Sequence, residues 1–135
     1  MKIVNEYPPN YDKICEVFPT VKNQKGIIFT YGDTCYVPGK KGSISAHLKV
    51  HERTHVKQQG DDPESWWDKY LTDPKFRLSQ EVEAYRRQYK YFCGVCHSFC
   101  DQKDFMNKIA GDLSSEIYGN LVTLDEAKEL INDNK

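Results

Sequence analysis

The sequence predicts a helix-rich α+β domain with one small sheet near its N-terminus. Three observations carry that prediction. The run from Ile27 to Val37 is apolar and aromatic on both sides of Gly32-Asp33, the pattern of a short β-hairpin. Later stretches with apolar residues at helical spacing each follow a cap residue, at Ser43, Asp62, Asp73 and Thr123. The chain has 135 residues, which suits one domain, since single domains run to roughly 100–200 residues.

The elements follow in chain order. Asn10 is placed to cap a helix over Tyr11 to Val17, with Pro19 beyond it. Ile27 to Tyr31 and Thr34 to Val37 form the hairpin. Pro38-Gly39-Lys40-Lys41-Gly42 reads as a loop. Ser43 can cap a helix to about Gln59, with Ile44, Leu48, His51 and His55 at helical spacing and Gly60 ending it. Asp62-Pro63 opens a second helix carrying Trp66, Trp67 and Tyr70. Asp73-Pro74 repeats the device before a long helix from about Lys75 to Phe92. Cys93 to Ala110 is helical with a break near Gly94. Thr123 and Glu126 form a capping box for a last helix over Leu124 to Ile131.

Composition narrows the function classes. With 19 Lys and Arg against 20 Asp and Glu, the net charge is −1. That balance supplies no general attraction to nucleic acid or anionic lipid, and neither is expected as a partner. The 13% aromatic content argues for a folded chain. Runs such as Ile27 to Phe29 are far shorter than the roughly 20 residues of a spanning helix. Met1 to Tyr11 holds Glu6, Pro8 and Pro9 and makes a poor signal peptide. A cytoplasmic protein is the expectation.

The chemistry concentrates in His51-Glu52-Arg53-Thr54-His55, an H-E-x-x-H. On a helix, residues four apart share a face, so both imidazoles can reach one ion. Zinc suits two imidazoles and one carboxylate with a position left for water, and Glu52 would take that water's proton as general base. The third ligand is less obvious. Asp61 is one option, but a metzincin would have glycine where Gln58 stands and histidine where Asp61 stands. The better one lies in Gln80-Glu81-Val82-Glu83-Ala84-Tyr85 on the next long helix. Ala84 is small enough to let two helices approach closely.

His51-Glu52-x-x-His55 followed by Glu81-x-x-Ala84-Tyr85 resembles the gluzincin-type zinc metallopeptidases, and most of all the small metallopeptidases encoded in bacteriophage genomes. Thr30 to Pro38, Gln58-Gln59, Trp66-Trp67, Phe76-Arg77 and Ile117 to Asn120 also look like that group's pattern. The resemblance implies a single zincin-like (minigluzincin) domain over residues 1–135 and a zinc-dependent peptidase acting on a peptide or protein. It implies the ligands His51, His55 and Glu81, with Glu52 as general base, and host-cell cytoplasm as the location. Glu83 would then be outward or behind a ligand. Many gluzincins have Asp where this chain has Tyr85, so a zinc-bound His must be oriented differently here; Tyr85 serves that role or merely packs. The resemblance further implies that the strand Thr34 to Val37 is an edge that pairs with an extended substrate. For the oxyanion, Tyr85, His47 and His97 are all options, and His47 reads more simply as a surface or supporting residue.

Five cysteines remain: Cys15, Cys35, Cys93, Cys96 and Cys100. Cys93-Gly94-Val95-Cys96-His97 spells the c-type haem signature, yet no export signal accompanies it. A second zinc held by Cys93, Cys96, His97 and Cys100 is another reading. The three cysteines also share one helical face, where free Cys acts as a small buried hydrophobe, and core thiols are the expectation. Trp66, Trp67, Tyr70, Tyr85, Tyr89 and Phe92 read as packing; Arg86-Arg87 and Lys40-Lys41 read as solvated. The alternative function is a non-catalytic protein stabilised by zinc, serving phage assembly or a host partner.

Overall fold

The structure is a computed structural model and describes residues 1–39 and 44–132. The expected hairpin is present and gains a third strand. β1 (Lys2–Val4), β2 (Phe29–Tyr31) and β3 (Thr34–Tyr36) form one sheet in the order β1-β3-β2. β2 and β3 pair antiparallel with Thr30 opposite Cys35. Gly32, at φ +64°, takes the left-handed turn position that a side chain resists. β1 runs parallel to β3, with Ile3 opposite Cys35.

That topology corrects one expectation. β3 is the central strand, hydrogen-bonded on both sides, and has no edge to offer a substrate. β2 is the edge on the hairpin side. Between β1 and β2 the chain forms α1 (Tyr11–Val17) and a 3₁₀ turn, Pro19–Asn23. Asn10 stands at the α1 cap position but makes no side-chain cap bond.

Three helices then build the site. α2 (Ala46–Gln59) has Ser45 at its cap position and ends at Gly60, φ +55°. Ser43, expected as the cap, lies outside the described residues, as do Lys40 and Lys41. α3 (Pro63–Thr72) starts where Asp62 accepts the Ser65 N–H at 3.0 Å. α4 (Pro74–Val95) starts where Asp73 accepts from the N–H groups of Lys75 and Phe76. Each carboxylate satisfies helix-end donors that have no partner within the helix, and the proline behind it gives up a donor that would be orphaned anyway.

α4 runs through Gly94, so the expected break comes later, at Cys96 to Ser98. A single glycine costs a helix only about 1 kcal/mol. The Ser98 cap, accepting from Asp101 N–H, starts α5 (Phe99–Leu113) and sets the boundary. The last helix, α6 (Leu124–Asn132), carries the expected capping box in full. Glu126 N–H donates to Thr123 Oγ1 at 3.1 Å, and Thr123 N–H to Glu126 Oε1 at 3.0 Å.

Two main apolar cores flank the α2–α4 contact, the most extensive between any two elements. One joins α4, α5 and α6 through Val82, Phe105, Ile109, Leu113 and Ile131. The other joins α1, β2 and α3 through Ile14, Val21, Phe29, Trp66 and Trp67. Ala84 is fully buried, between Glu81 and Gln88, which both meet α2. No described helix is long and apolar enough to cross a membrane.

Candidate metal centre

The inward face of α2 is polar. His51, Glu52, Thr54, His55 and Gln59 are all buried. Burying such groups costs free energy unless each finds a partner. A helix that turns this face inward requires a matching polar surface opposite, and α4 provides it.

Glu81 on α4 meets both histidines. Its Oε1 lies 3.3 Å from His51 Nε2 and 3.3 Å from His55 Nε2. The two Nε2 atoms are 3.1 Å apart. Three ligand atoms of a tetrahedral ion at zinc–nitrogen and zinc–oxygen distances stand roughly 3.3 Å from one another. The triangle therefore has the size a metal ion requires. Glu81 Oε1 is also a buried acceptor with no hydrogen-bond partner, although its other oxygen is well bonded. A metal ion satisfies that atom and both imidazole lone pairs together. His51, His55 and Glu81 are the one such group among the described residues, and they can hold a metal ion.

Neutral amides fix both ligand rings. His51 Nδ1–H donates to Gln88 Oε1 at 2.9 Å, and His55 Nδ1–H donates to Gln58 Oε1 at 2.8 Å. Each bond places the ring proton on Nδ1 and leaves the Nε2 lone pair for the ion. The amides are themselves held. Gln88 Nε2 donates to His47 Nδ1 at 2.9 Å. Gln58 Nε2 reaches Gln80 O at 3.0 Å and Glu83 Oε1 at 2.7 Å. On the third ligand, Tyr70 OH donates to Glu81 Oε2 at 2.7 Å.

Glu52 sits beside the triangle, its Oε2 4.0 Å from His51 Nε2. Thr30 Oγ1 on β2 donates to its Oε1 at 3.1 Å. The hairpin is pinned to do this. Gln59 Nε2 and Trp67 Nε1 both donate to Thr30 O, at 2.7 and 2.9 Å, and Gly32 N–H donates to Gln59 Oε1 at 2.7 Å.

Burial and charge set the proton affinities of the unliganded groups. Burial raises the Glu52 pKa, and the imidazoles only partly oppose it. Burial acts against the charged form of His55, but Glu81 prevails and lifts it to about 9. Burial would raise Glu81, yet the two imidazoles hold it well below the carboxylate range.

Two cavities adjoin the triad. A small one, about 80 Å³, is walled by apolar groups including Ile14, Phe18, Val21 and Trp66 and reaches His51, Glu52, His55 and Glu81. A larger one, about 580 Å³, reaches His51 and Glu52 from the side of Leu48, Phe105 and Ile109. Ile27, Ile28 and Tyr118 line both.

His51, His55, Glu81 and Glu52 thus come together as expected, and other expectations change. Asp61 is exposed and stands outside the group. Glu83 is exposed and supports His55 through Gln58. Tyr85 stacks edge-on against His51, ring centroids 4.4 Å apart, but its hydroxyl bonds Tyr118 OH at 2.8 Å. It packs, and Gln88 does the orienting. His47 supports Gln88, and its ring lies against Phe105. His97 is exposed between α4 and α5.

The cysteine expectation is corrected too. Cys93 and Cys96 are half-buried and Cys100 is exposed, so these are not core thiols. The helix ends at Val95, and the shared face that spacing predicts is broken there. No cysteine joins a candidate metal group among the described residues. Cys15 and Cys35 are the buried pair; burial, then the nearby Glu52 charge, pushes the Cys35 thiol up to about 12.

Thr30, Gln58, Tyr70, Gln88 and Tyr118 support the site in ways not assigned from the sequence. Gln88 had a signal, since Glu81, Ala84, Tyr85 and Gln88 recur on one helical face. Thr30 and Tyr118 come from distant segments that look like the family's pattern, but no spacing ties either residue to the histidines. No family model, curated protein or solved structure matches the chain.

Proposed function

We propose that the protein is a zinc-dependent peptidase with a zincin-like fold of the gluzincin type. The observation that carries this reading is the pairing of the ligand triangle with Glu52, a buried carboxylate 4.0 Å from a ligand nitrogen. A purely structural ion needs no such base. When bound, zinc supplies Lewis-acid polarisation of a carbonyl and a water of lowered pKa.

The chain's own residues do the rest. His51, His55 and Glu81 hold the ion, and Gln88, Gln58 and Tyr70 keep them aimed. Thr30 occupies Glu52 Oε1, leaving Oε2 to accept the proton of the attacking water and pass it to the departing amine. Burial, which raises the Glu52 pKa, brings it closer to the pH at which such a transfer runs in both directions. Tyr118 lines both cavities and offers a hydroxyl toward the substrate carbonyl oxygen. The carbonyl of Thr30 already accepts two side-chain donors. The stretch just before β2, at Ile27 and Ile28, which lines both cavities, is therefore where a substrate strand can add main-chain hydrogen bonds.

Glu52→Gln tests the reading. The variant is expected to keep one zinc per chain and lose hydrolysis by about 10²–10⁴-fold. Unchanged cleavage by that variant would refute it.

One observation favours a second reading, a zinc-stabilised binding protein. His51, Glu52 and His55 are each 5% exposed and Glu81 4%, which leaves little room for a substrate carbonyl. A protein that cleaves nothing and unfolds when zinc is chelated would support it.

A further inference from the structure

Arg53 and Lys57 each lie two residues beyond a ligand histidine, about 200° around α2 from the metal face. With Arg87, Lys90 and Tyr91 of α4 they line a groove of about 390 Å³ on the other side of the α2–α4 seam. Arg53 and Lys57 are one turn apart, about 6 Å along the axis. Among the described residues, Arg53, Lys57 and Lys90 have no carboxylate within ion-pair distance. Arg87 has only Glu83, at 3.7 Å, with both side chains about half exposed. Exposed pairs of this kind are weak and readily exchanged. Four cations thus share one concave surface with a single carboxylate, on a chain whose net charge is −1.

We propose that this groove docks an acidic, partly apolar peptide segment of a partner protein. The charge calls for an anion, and Val50 and the Tyr91 ring add apolar wall to the groove. Alternate side chains of an extended peptide stand roughly 7 Å apart, close to the Arg53–Lys57 rise. A nucleic acid fits less well. It draws affinity from many phosphate contacts and stacked aromatics, whereas this groove is short and has one aromatic ring. The inference does not depend on the metal site or on hydrolysis.

The test uses the 135-residue chain as purified and a fluorescent peptide of alternating Glu and Leu. Controls are the same peptide with Lys for Glu, and a thymidine oligonucleotide of equal charge. Fluorescence anisotropy should show saturable binding of the Glu peptide that weakens with salt, and none of the Lys peptide. Arg53→Glu with Lys57→Glu should weaken binding by about tenfold or more, equivalent to about 1.4 kcal/mol. Arg87→Ala with Lys90→Ala, on the opposite wall, should also weaken it. All four side chains are exposed, so zinc content and melting temperature should stay at the parent values. No binding at low salt, or parent-level binding by either variant, overturns the proposal. Tighter binding of the oligonucleotide overturns the choice of a peptide.

Discussion

Tyr70 and Glu81, on successive helices, share a 2.7 Å hydrogen bond that divides the labour of one carboxylate. Oε2 accepts the phenol proton, and Oε1 is left facing His51 and His55. A phenol thereby decides which oxygen is free to meet a metal ion.

Tyr70→Phe should weaken metal binding without removing it. Supporting residues of this kind are typically worth about 10–100-fold in affinity. The buried Oε2 left without a donor should also cost about 1–3 kcal/mol of stability in the metal-free protein. Chelator competition and urea unfolding read the two effects, and parent-like values in both would show that the hydrogen bond is incidental.

Glu81→Ala should abolish stoichiometric zinc, while Asp61→Ala should retain one zinc per chain. Elemental analysis of protein purified without added metal distinguishes them. Retention of zinc by Glu81→Ala would place the third ligand elsewhere.

Gln58→Leu and Gln88→Leu each free one ligand ring from its anchor. Each should lower zinc affinity by about 10–100-fold. Because the two amides hold different histidines, the double variant should show nearly the sum of the two free-energy losses. Nuclear magnetic resonance of the imidazole nitrogens in the metal-free protein above a pH of about 9, where His55 is neutral, should show the Nδ1–H tautomer in the parent and mixed tautomers at the freed ring in each variant.

Zinc affinity should climb with pH. In the metal-free protein Glu81 overcomes the effect of burial and lifts His55 to about 9. A ligand imidazole is neutral, so binding expels that proton, and apparent affinity rises about tenfold per pH unit until the proton is gone. The rise should level off above a pH of about 9. Stability of the metal-free protein runs the other way. A pKa raised by folding contributes fully below the ordinary imidazole value, and that contribution fades as pH rises through about 9. Titrations with a competing chelator across this range check the first trend, and a flat profile would contradict it.

Thr30→Val should move the acid limb of any hydrolytic pH profile upward. Burial raises Glu52, and the Thr30 hydrogen bond opposes that rise. Without the hydroxyl the base protonates at higher pH, while zinc content should not change. An unmoved limb would mean that Glu52 is not the group titrating.

The legible parts of this molecule were local. The caps at Asp62, Asp73 and Thr123 act over three residues, and each is in place. His51 and His55 are separated by one helical turn. Glu81 stood out from Glu83 only through the resemblance of Glu81-x-x-Ala84 to the gluzincin pattern. What escaped is non-local. β1 has three residues and no alternation to detect, and its pairing with β3 spans the chain from Ile3 to Cys35. It turned the supposed edge strand into a central one. Thr30 and Tyr118 reach the site from a hairpin and a second 3₁₀ turn, Glu116–Tyr118, whose positions only tertiary packing sets. The cysteines misled because spacing assumes an unbroken helix, and α4 stops among them. Arg86 was read as solvated, yet it donates to Leu130 O at 2.6 Å and ties α4 to α6.

The three candidate ligands are split across the chain, two on α2 and one on α4, with all of α3 between them. No single unfolded segment can therefore keep the metal coordinated by all three side chains. Fraying α1 or α6 leaves the triangle intact, whereas separating α2 from α4 dismantles it along with the central seam. The lifetime of the bound ion should accordingly track the rate at which that seam opens. Metal exchange then serves as a clock for concerted unfolding, silent to motions at either end of the chain.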